Sequence, residues 1–500
     1  MYNFIETYSF GDFVTEIIMK KVFTIIIILT LAVSLTACNF LENLFYPDSP
    51  PLDFGSNESI EIVADKYEPL YDINNDRVYD APTTDIELRV QSLMSDMLTA
   101  ERVQGGTLYN GNLIRLARVL KRAEAAFIQP EEAPYFSSED SVSSSLPDPS
   151  IDRSPITVSF FGSGGITGQG VEYMKDAYPF IIRRWFADEY GSDNFRFIFE
   201  GQRGTDSSYG AHAVSQKVLE EDTDILFIDY SLEDMKNENA SETFESVIRT
   251  ALSHETNCAV IILCTMDAAC NSDYQRQLDI ARAYGVPMIS LRHAVASEIS
   301  KGTFFFSSLT DDGFSIGLNG HKLFGDLCAN FLENVKRQLN KIDTETDISI
   351  PRYPLTYARF VGGRHFTNWK RAKTFGSFVR LGLAYDIFGQ SGWECTRPGG
   401  ASMVYEIEAQ HISVMYWRVI DRTGGRIEVL VDGSLVATLE CDYIDGEADS
   451  AATALVYSGA AVATHTVEIR MSAEKNPGST GERVCLLAIM RAGENLKPYS

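Results

Sequence analysis

Two kinds of hydrophobic spacing alternate through the middle of the chain. Short runs of apolar and β-branched residues from Ile156 to Phe161, Phe195 to Glu200, Asp224 to Tyr230, Ala259 to Thr265 and Val286 to Ser290 predict buried strands. Between and after them, apolar residues recur every three or four positions over Tyr173 to Ala187, Val214 to Leu219, Ser241 to Ala251, Asp273 to Tyr284 and Gly320 to Leu339, which predicts helices. Strands and helices in alternation imply an α/β fold, a doubly wound parallel sheet over residues 154–345 with both faces covered. Ligands of such sheets lie beyond the carboxyl ends of the strands. The glycine-rich bends at Gly162–Gly165 and Gly201–Thr205, and Glu233 after the third strand, fall at that edge.

The flanks are patterned differently. Residues 84–153 begin with helical spacing in DIELRVQSLMSDML and NLIRLARVLKRAEAAF, the latter placing Leu113, Leu116, Ala117, Leu120 and Phe127 on one face. An acidic, Ser- and Pro-rich loop follows from Gln129 to Arg153. Over residues 346–500 the period becomes two: RIEVLV, the turn Asp432-Gly433 and LVATLE read as a hairpin, with further strands at Ser402–Ala409, Ser413–Val419, Ala454–Tyr457, His465–Met471 and Val484–Ala492. Short strands without helical runs predict a β-sandwich.

A formal charge of −26 and a pI near 4.7 exclude nucleic acid and polybasic attachment to anionic lipid, and leave neutral sugars and cationic partners open. Met19-Lys20-Lys21, an apolar run and then Leu35-Thr36-Ala37-Cys38 resemble a bacterial lipoprotein signal over residues 1–38. By that resemblance Cys38 is lipidated and holds the protein on the extracytoplasmic face of the cell membrane, with Met1 to Ile18 an upstream extension or a misassigned start. The other reading is a transmembrane anchor, but the apolar run from Val22 to Ala37 is shorter than the roughly 20 residues a span needs. The Pro-, Asp- and Asn-rich residues 39–83 read as a spacer. Seven other cysteines form no Cys-x-x-Cys pair and have no His cluster beside them, so neither a metal nor a cofactor is implied. They are buried thiols, or one or two disulfides among them.

Four segments resemble the blocks of the SGNH/GDSL hydrolases, which implies the flavodoxin-like SGNH fold and an acyl-ester or carbohydrate esterase ancestry. Gly111-Asn112-Leu113-Ile114-Arg115-Leu116 also resembles the segment that precedes the first strand in such proteins. In the first block, Ser163-Gly164-Gly165-Ile166-Thr167, the family's nucleophilic serine is replaced by Gly165. The second, EGQRGTDSSYG, places Gly204 at the oxyanion-hole glycine. The third puts Glu233-Asp234 where an asparagine and an aspartate are usual. The fourth keeps Asp312 and a distal Gly320-His321 but has Ser315 at the position of the basic histidine. The strand-rich end resembles the jelly-roll domains that accompany carbohydrate esterases.

These exchanges remove the chemistry. Glycine offers no hydroxyl, serine near neutral pH does not accept the proton a histidine would take, and a carboxylate repels the oxyanion where an amide should donate. That last change reverses a contribution often worth ~3 kcal/mol. The favoured expectation is therefore a surface-anchored SGNH-like protein that has lost hydrolysis and binds a glycan or acylated carbohydrate, with Gly164, Gly165, Gly204, Glu233 and Ser315 lining the pocket. The alternative is an active carbohydrate esterase that uses a relocated Ser163 and His321 with Asp312; the plain alternative is a turn serine and a helix-start histidine. Glu233 and Asp312 form either an acid/base or cation-holding pair or merely two solvated acids. Trp369, Trp393, Tyr416 and Trp417 are candidates for stacking on sugars or for filling the sandwich core, and Trp393, after a glycine-rich loop, is the one expected to be exposed or at a domain interface.

Overall fold

Strand β2 (Ile156–Gly162) is buried at every residue and lies inside the first sheet, second from one edge. It is flanked by β3 (Phe195–Gly201) and β4 (Ile225–Asp229), and β5 (Ala259–Cys264), β6 (Met288–Ser290) and β1 (Thr107–Tyr109) complete the order β1-β6-β5-β4-β2-β3. The computed structural model describes residues 97–126, 154–267, 269–310, 315–365, 372–380, 392–444 and 449–493. The signal and spacer with Cys38, most of the first lead-in helix, Phe127, the acidic loop, Asp312 and Trp369 lie outside them. Strands β2 to β6 are mutually parallel, as the alternating pattern predicts. Strand β1 adds an antiparallel edge that the sequence reading did not anticipate.

The register of the parallel strands sets Phe160 directly opposite Phe199 and Phe227, so three rings stack across neighbouring strands at 5.1 and 5.0 Å. On that face pack α1 (Ala100–Gly106), α2 (Ile114–Ala126), α3 (Tyr178–Tyr190), α7 (Leu291–Ser300) and α8 (Leu318–Arg337). The other face carries α4 (Ser207–Lys217), α5 (Ala240–Leu252) and α6 (Tyr274–Tyr284). At the amino edge, the Asp224 carboxylate accepts from Thr157 N–H at 2.8 Å and pairs with Arg122 at 2.8 Å, tying α2 to the sheet.

Among the described residues, the second sheet has nine antiparallel strands built around β11 (Met403–Arg418), β14 (Ser450–Met471) and β15 (Val484–Ala492). The pairs of strands predicted at 402–419 and 454–471 are each one long strand, β11 and β14. Irregular register at Ala409/His411 and Ile412/Ser413 bends them without breaking the ladder. One side of this sheet encloses its own core, and the other presents Met415, Leu487, Ala488 and Met490 to the helices of the first domain. Trp393 corrects the expectation of an exposed stacking residue. It is 2% exposed, because β10 (Trp393–Cys395) pairs with β15 and sends the indole into the sandwich core. Cys258, Cys264, Cys270, Cys328, Cys395, Cys441 and Cys485 are free thiols, all buried except Cys270, so no disulfide joins them.

The segment between the two sheets is held to α5 by main-chain hydrogen bonds. Arg249 donates to the carbonyls of Pro351 and Arg352 at 2.8 and 3.1 Å. The fully buried Glu245 accepts from Leu355 N–H, Thr356 N–H and Tyr284 Oη at 2.6, 2.7 and 2.6 Å, and from the Thr356 hydroxyl. Glu242 receives Arg359 through its backbone N–H and both arms of its guanidinium at 2.9, 2.7 and 2.6 Å. Removing the Glu245 acceptor strands two amides and two hydroxyls, so Glu245→Ala should destabilise the protein by about 3 kcal/mol. Thermal unfolding and faster proteolytic cleavage between residues 351 and 357 would register the loss.

Candidate active site

The turn after β2 begins with a strand-like bond, Ser163 N–H to Asp229 C=O at 3.0 Å, and then closes on Gly164, whose carbonyl accepts from Thr167 and Gln169 N–H at 3.1 and 2.9 Å. Both glycines sit against neighbouring side chains. A Cβ at Gly164 would lie 2.0 Å from Gln169 Oε1, and one at Gly165 would lie 2.8 Å from Asp229 Oδ2 and 3.0 Å from Tyr178 Oη. The space a residue-165 side chain would fill is thus taken by a carboxyl and a phenol, which bond to each other at 2.6 Å.

Asp229 ends β4 and is 4% exposed. Burial raises its pKa to about 6, against the pull of donors from Tyr178 and Ser231. Glu233, one turn further on and half-buried, is pushed up to about 7, first by desolvation and then by the neighbouring Asp229, while Ser163 favours its ionised form. The Ser163 hydroxyl itself is sealed from solvent, with the Glu233 carboxyl as its polar neighbour. Asp234, beside Glu233, is turned the other way and caps the backbone at Ser207 N–H, 2.9 Å.

His321 is committed elsewhere. Its Nδ1 accepts Tyr178 N–H at 3.2 Å and its Nε2 donates to Gln169 C=O at 3.0 Å, which fixes the proton on Nε2. Burial lowers its pKa to about 4, so the ring is neutral and has no nitrogen left for Ser163. The relocated Ser163–His321 pair is therefore not formed: His321 is a structural residue at the start of α8 that braces the glycine turn. Ser315 receives Gln169 Nε2 at 3.0 Å and so closes the same brace. Gly204, at φ +76°, sits in the turn after β3, where an added Cβ would lie 3.6 Å from Ser450 Cβ of the second sheet.

The structure thus gathers Ser163, Gly164, Gly165, Gly204 and Glu233 at the carboxyl ends of β2, β3 and β4. Asp312 lies outside the described residues, so its pairing with Glu233 has no structural counterpart here. Among the described residues, no cluster of three His, Cys, Asp or Glu side chains gathers to hold a metal ion. The residues that define the site and were not singled out from sequence are Asp229, Tyr178 and Gln169. Asp229 had a signal: it is a lone acid at the carboxyl end of the apolar run DILFID.

Comparison with solved structures agrees with this layout. A two-domain esterase active on acetylated mannans superposes with a TM-score of 0.65 at 21% identity, covering 79% of this chain and 99% of that one. A two-domain esterase active on acetylated mannans, co-crystallised with mannopentaose, gives 0.64 at 20% identity, with 79% and 99% covered. The chain has an SGNH-hydrolase-like fold. A second, antiparallel β domain follows the SGNH-like domain, as in those structures. No protein-family model and no curated protein sequence matches the chain.

The raised pKa of Glu233 gives a signed prediction. A carboxyl whose folded-state pKa lies above its ordinary value near 4.5 contributes its full stability below pH 4.5 and loses it as the pH rises through about 7. Glu233→Gln cannot ionise, so the variant should match the parent near pH 4.5 and exceed it above pH 7, by on the order of 2 kcal/mol. Denaturant unfolding of both proteins at the two pH values measures the difference.

Proposed function

We propose that the protein is a carbohydrate-binding member of the SGNH-fold proteins that has given up ester hydrolysis, held on the outer face of a bacterial membrane through lipid on Cys38. The observation that carries the loss of hydrolysis is the Asp229–Tyr178 pair at 2.6 Å, which fills the space of a nucleophile at residue 165. The sealed Ser163 hydroxyl and the fully bonded His321 ring support the same reading, since attack needs an exposed hydroxyl within reach of a free base. A glycan or acylated carbohydrate as ligand is supported by the shared architecture with an esterase that acts on acetylated mannans, and by an acidic surface unsuited to phosphate-rich partners.

The purified protein should release no acid above background from short-chain acyl esters or acetylated sugars, and fluorophosphonate should not label it. Gly165→Ser should not restore turnover, because the new side chain meets Asp229 and Tyr178. Turnover that Ser163→Ala abolishes would overturn the reading and make the protein a working esterase. For the anchor, cells given radiolabelled palmitate should label the protein, and Cys38→Ala should abolish the label; label persisting in that variant would place the attachment elsewhere.

A further inference from the structure

Where the two domains meet, each supplies one histidine. His212 of α4 is fully buried, and its ring meets Phe360 of the connecting segment edge-on at 5.3 Å. His411 of β11 is buried too, and its ring lies 6.4 Å from the same phenyl group. Phe360 thus neighbours both imidazoles. The segment stays close to α4 beyond it, since a Cβ at Gly363 would lie 2.6 Å from Ala211 C=O.

The bonds these rings make suit neutral imidazoles. His212 Nδ1 donates to Ser208 C=O at 2.8 Å, which leaves Nε2 as a bare acceptor, and among the described residues that buried nitrogen has no hydrogen-bond partner. A proton on Nε2 would make a buried cation whose new N–H has nothing to receive it. His411 Nδ1 bonds the Ser458 hydroxyl of β14 at 3.1 Å, and Arg359 Nη1 donates to that hydroxyl at 3.4 Å. The charges on the surrounding elements are already matched. Arg359 is held by Glu242 of α5, and Arg364, further along the segment, by Glu220. The fully buried Arg491 of β15 donates to Glu408 C=O at 3.0 Å and lies 3.8 Å from the Glu408 carboxylate. Each of these acids therefore has an arginine, and a protonated ring gains no free counter-ion. Burial lowers the His212 pKa to about 4, against the Ser208 bond; burial and then Arg359 lower that of His411, against Glu242. The neutral rings contribute their full stability above their ordinary pKa of 6.5, and His212 has lost its share once the pH falls through about 4.

We propose that His212 and His411 form an acid-sensitive latch between the two domains: neutral rings let the contact close on Phe360, and their protonation opens it while both domains stay folded. Opening bares Met415, Leu487, Ala488 and Met490 to water and takes Ser450 away from the Gly204 turn. The latch stands on the fold alone and does not depend on the glycan-binding reading. Small-angle X-ray scattering of the full chain tests it, with far-ultraviolet circular dichroism on the same samples. The radius of gyration should rise as the pH falls between 6.5 and about 4, with the dichroism unchanged. Over that range the ratio of open to closed molecules should climb by at least about tenfold per pH unit, since opening frees the rings to take up protons. His212→Asn/His411→Asn keeps a polar group at each Nδ1 position but cannot ionise, so it should stay compact throughout. Should its smaller side chains open the contact at neutral pH, His212→Phe/His411→Phe, which keeps the ring volume, should stay compact instead. A parent that remains compact down to pH 4 overturns the latch. So does an acid-induced rise kept by either variant, because His254, His293, His321, His365 and His465 remain in both. If both variants are open at neutral pH, ring-proton NMR of the parent decides: rings that stay neutral until the scattering changes uphold the latch, and rings that titrate near 6.5 in the compact protein overturn it.

Discussion

A carboxyl group buried at the end of a central strand must be supplied with donors or kept protonated, and Asp229 is met on both counts. Tyr178 gives it a hydroxyl, Ser231 gives it a second, and burial moves its titration close to neutrality. The rest of the site follows from that accommodation. The phenol reaches Asp229 only because residue 165 has no side chain, and α3 begins where it does because His321 accepts Tyr178 N–H. Gln169 then joins His321 and Ser315 into a closed polar brace. These residues thus form the internal scaffolding of a turn.

Much of the first domain was legible because parallel strands are buried on both faces and so appear as unbroken apolar runs, while the helices between them keep one apolar stripe. Legibility failed where local pattern gives no clue to what a segment meets. Strand β1 is only three residues long. Helix α7 follows β6 without a gap and has polar residues spread around it. In the β domain, register shifts inside β11 and polar outward positions in β14 resembled turns, so two long strands were read as four. Trp393 was misread because a glycine-rich approach suggests exposure, whereas the pairing of β10 with a strand some ninety residues later decides burial.

The site divides in the same way. Gly165, Gly204, Glu233 and Ser315 could be found from block spacing, since each sits at a fixed offset from a strand end. The partnership of Asp229 with Tyr178 could not, because it joins residues 51 apart through a space that exists only once the sheet and α3 have packed. Nor could the commitment of both His321 nitrogens to backbone groups. A histidine six positions after Ser315 carries the same letter whether it is a free base or a strut.

Fixing the connecting segment through main-chain amides and carbonyls has a consequence for how this molecule can vary. Glu245 and Arg249 hold Leu355, Thr356, Pro351 and Arg352 by groups common to every residue type, apart from the threonine hydroxyl. The outward side chains are therefore uncoupled from folding. Natural selection can rewrite them while the two domains stay joined.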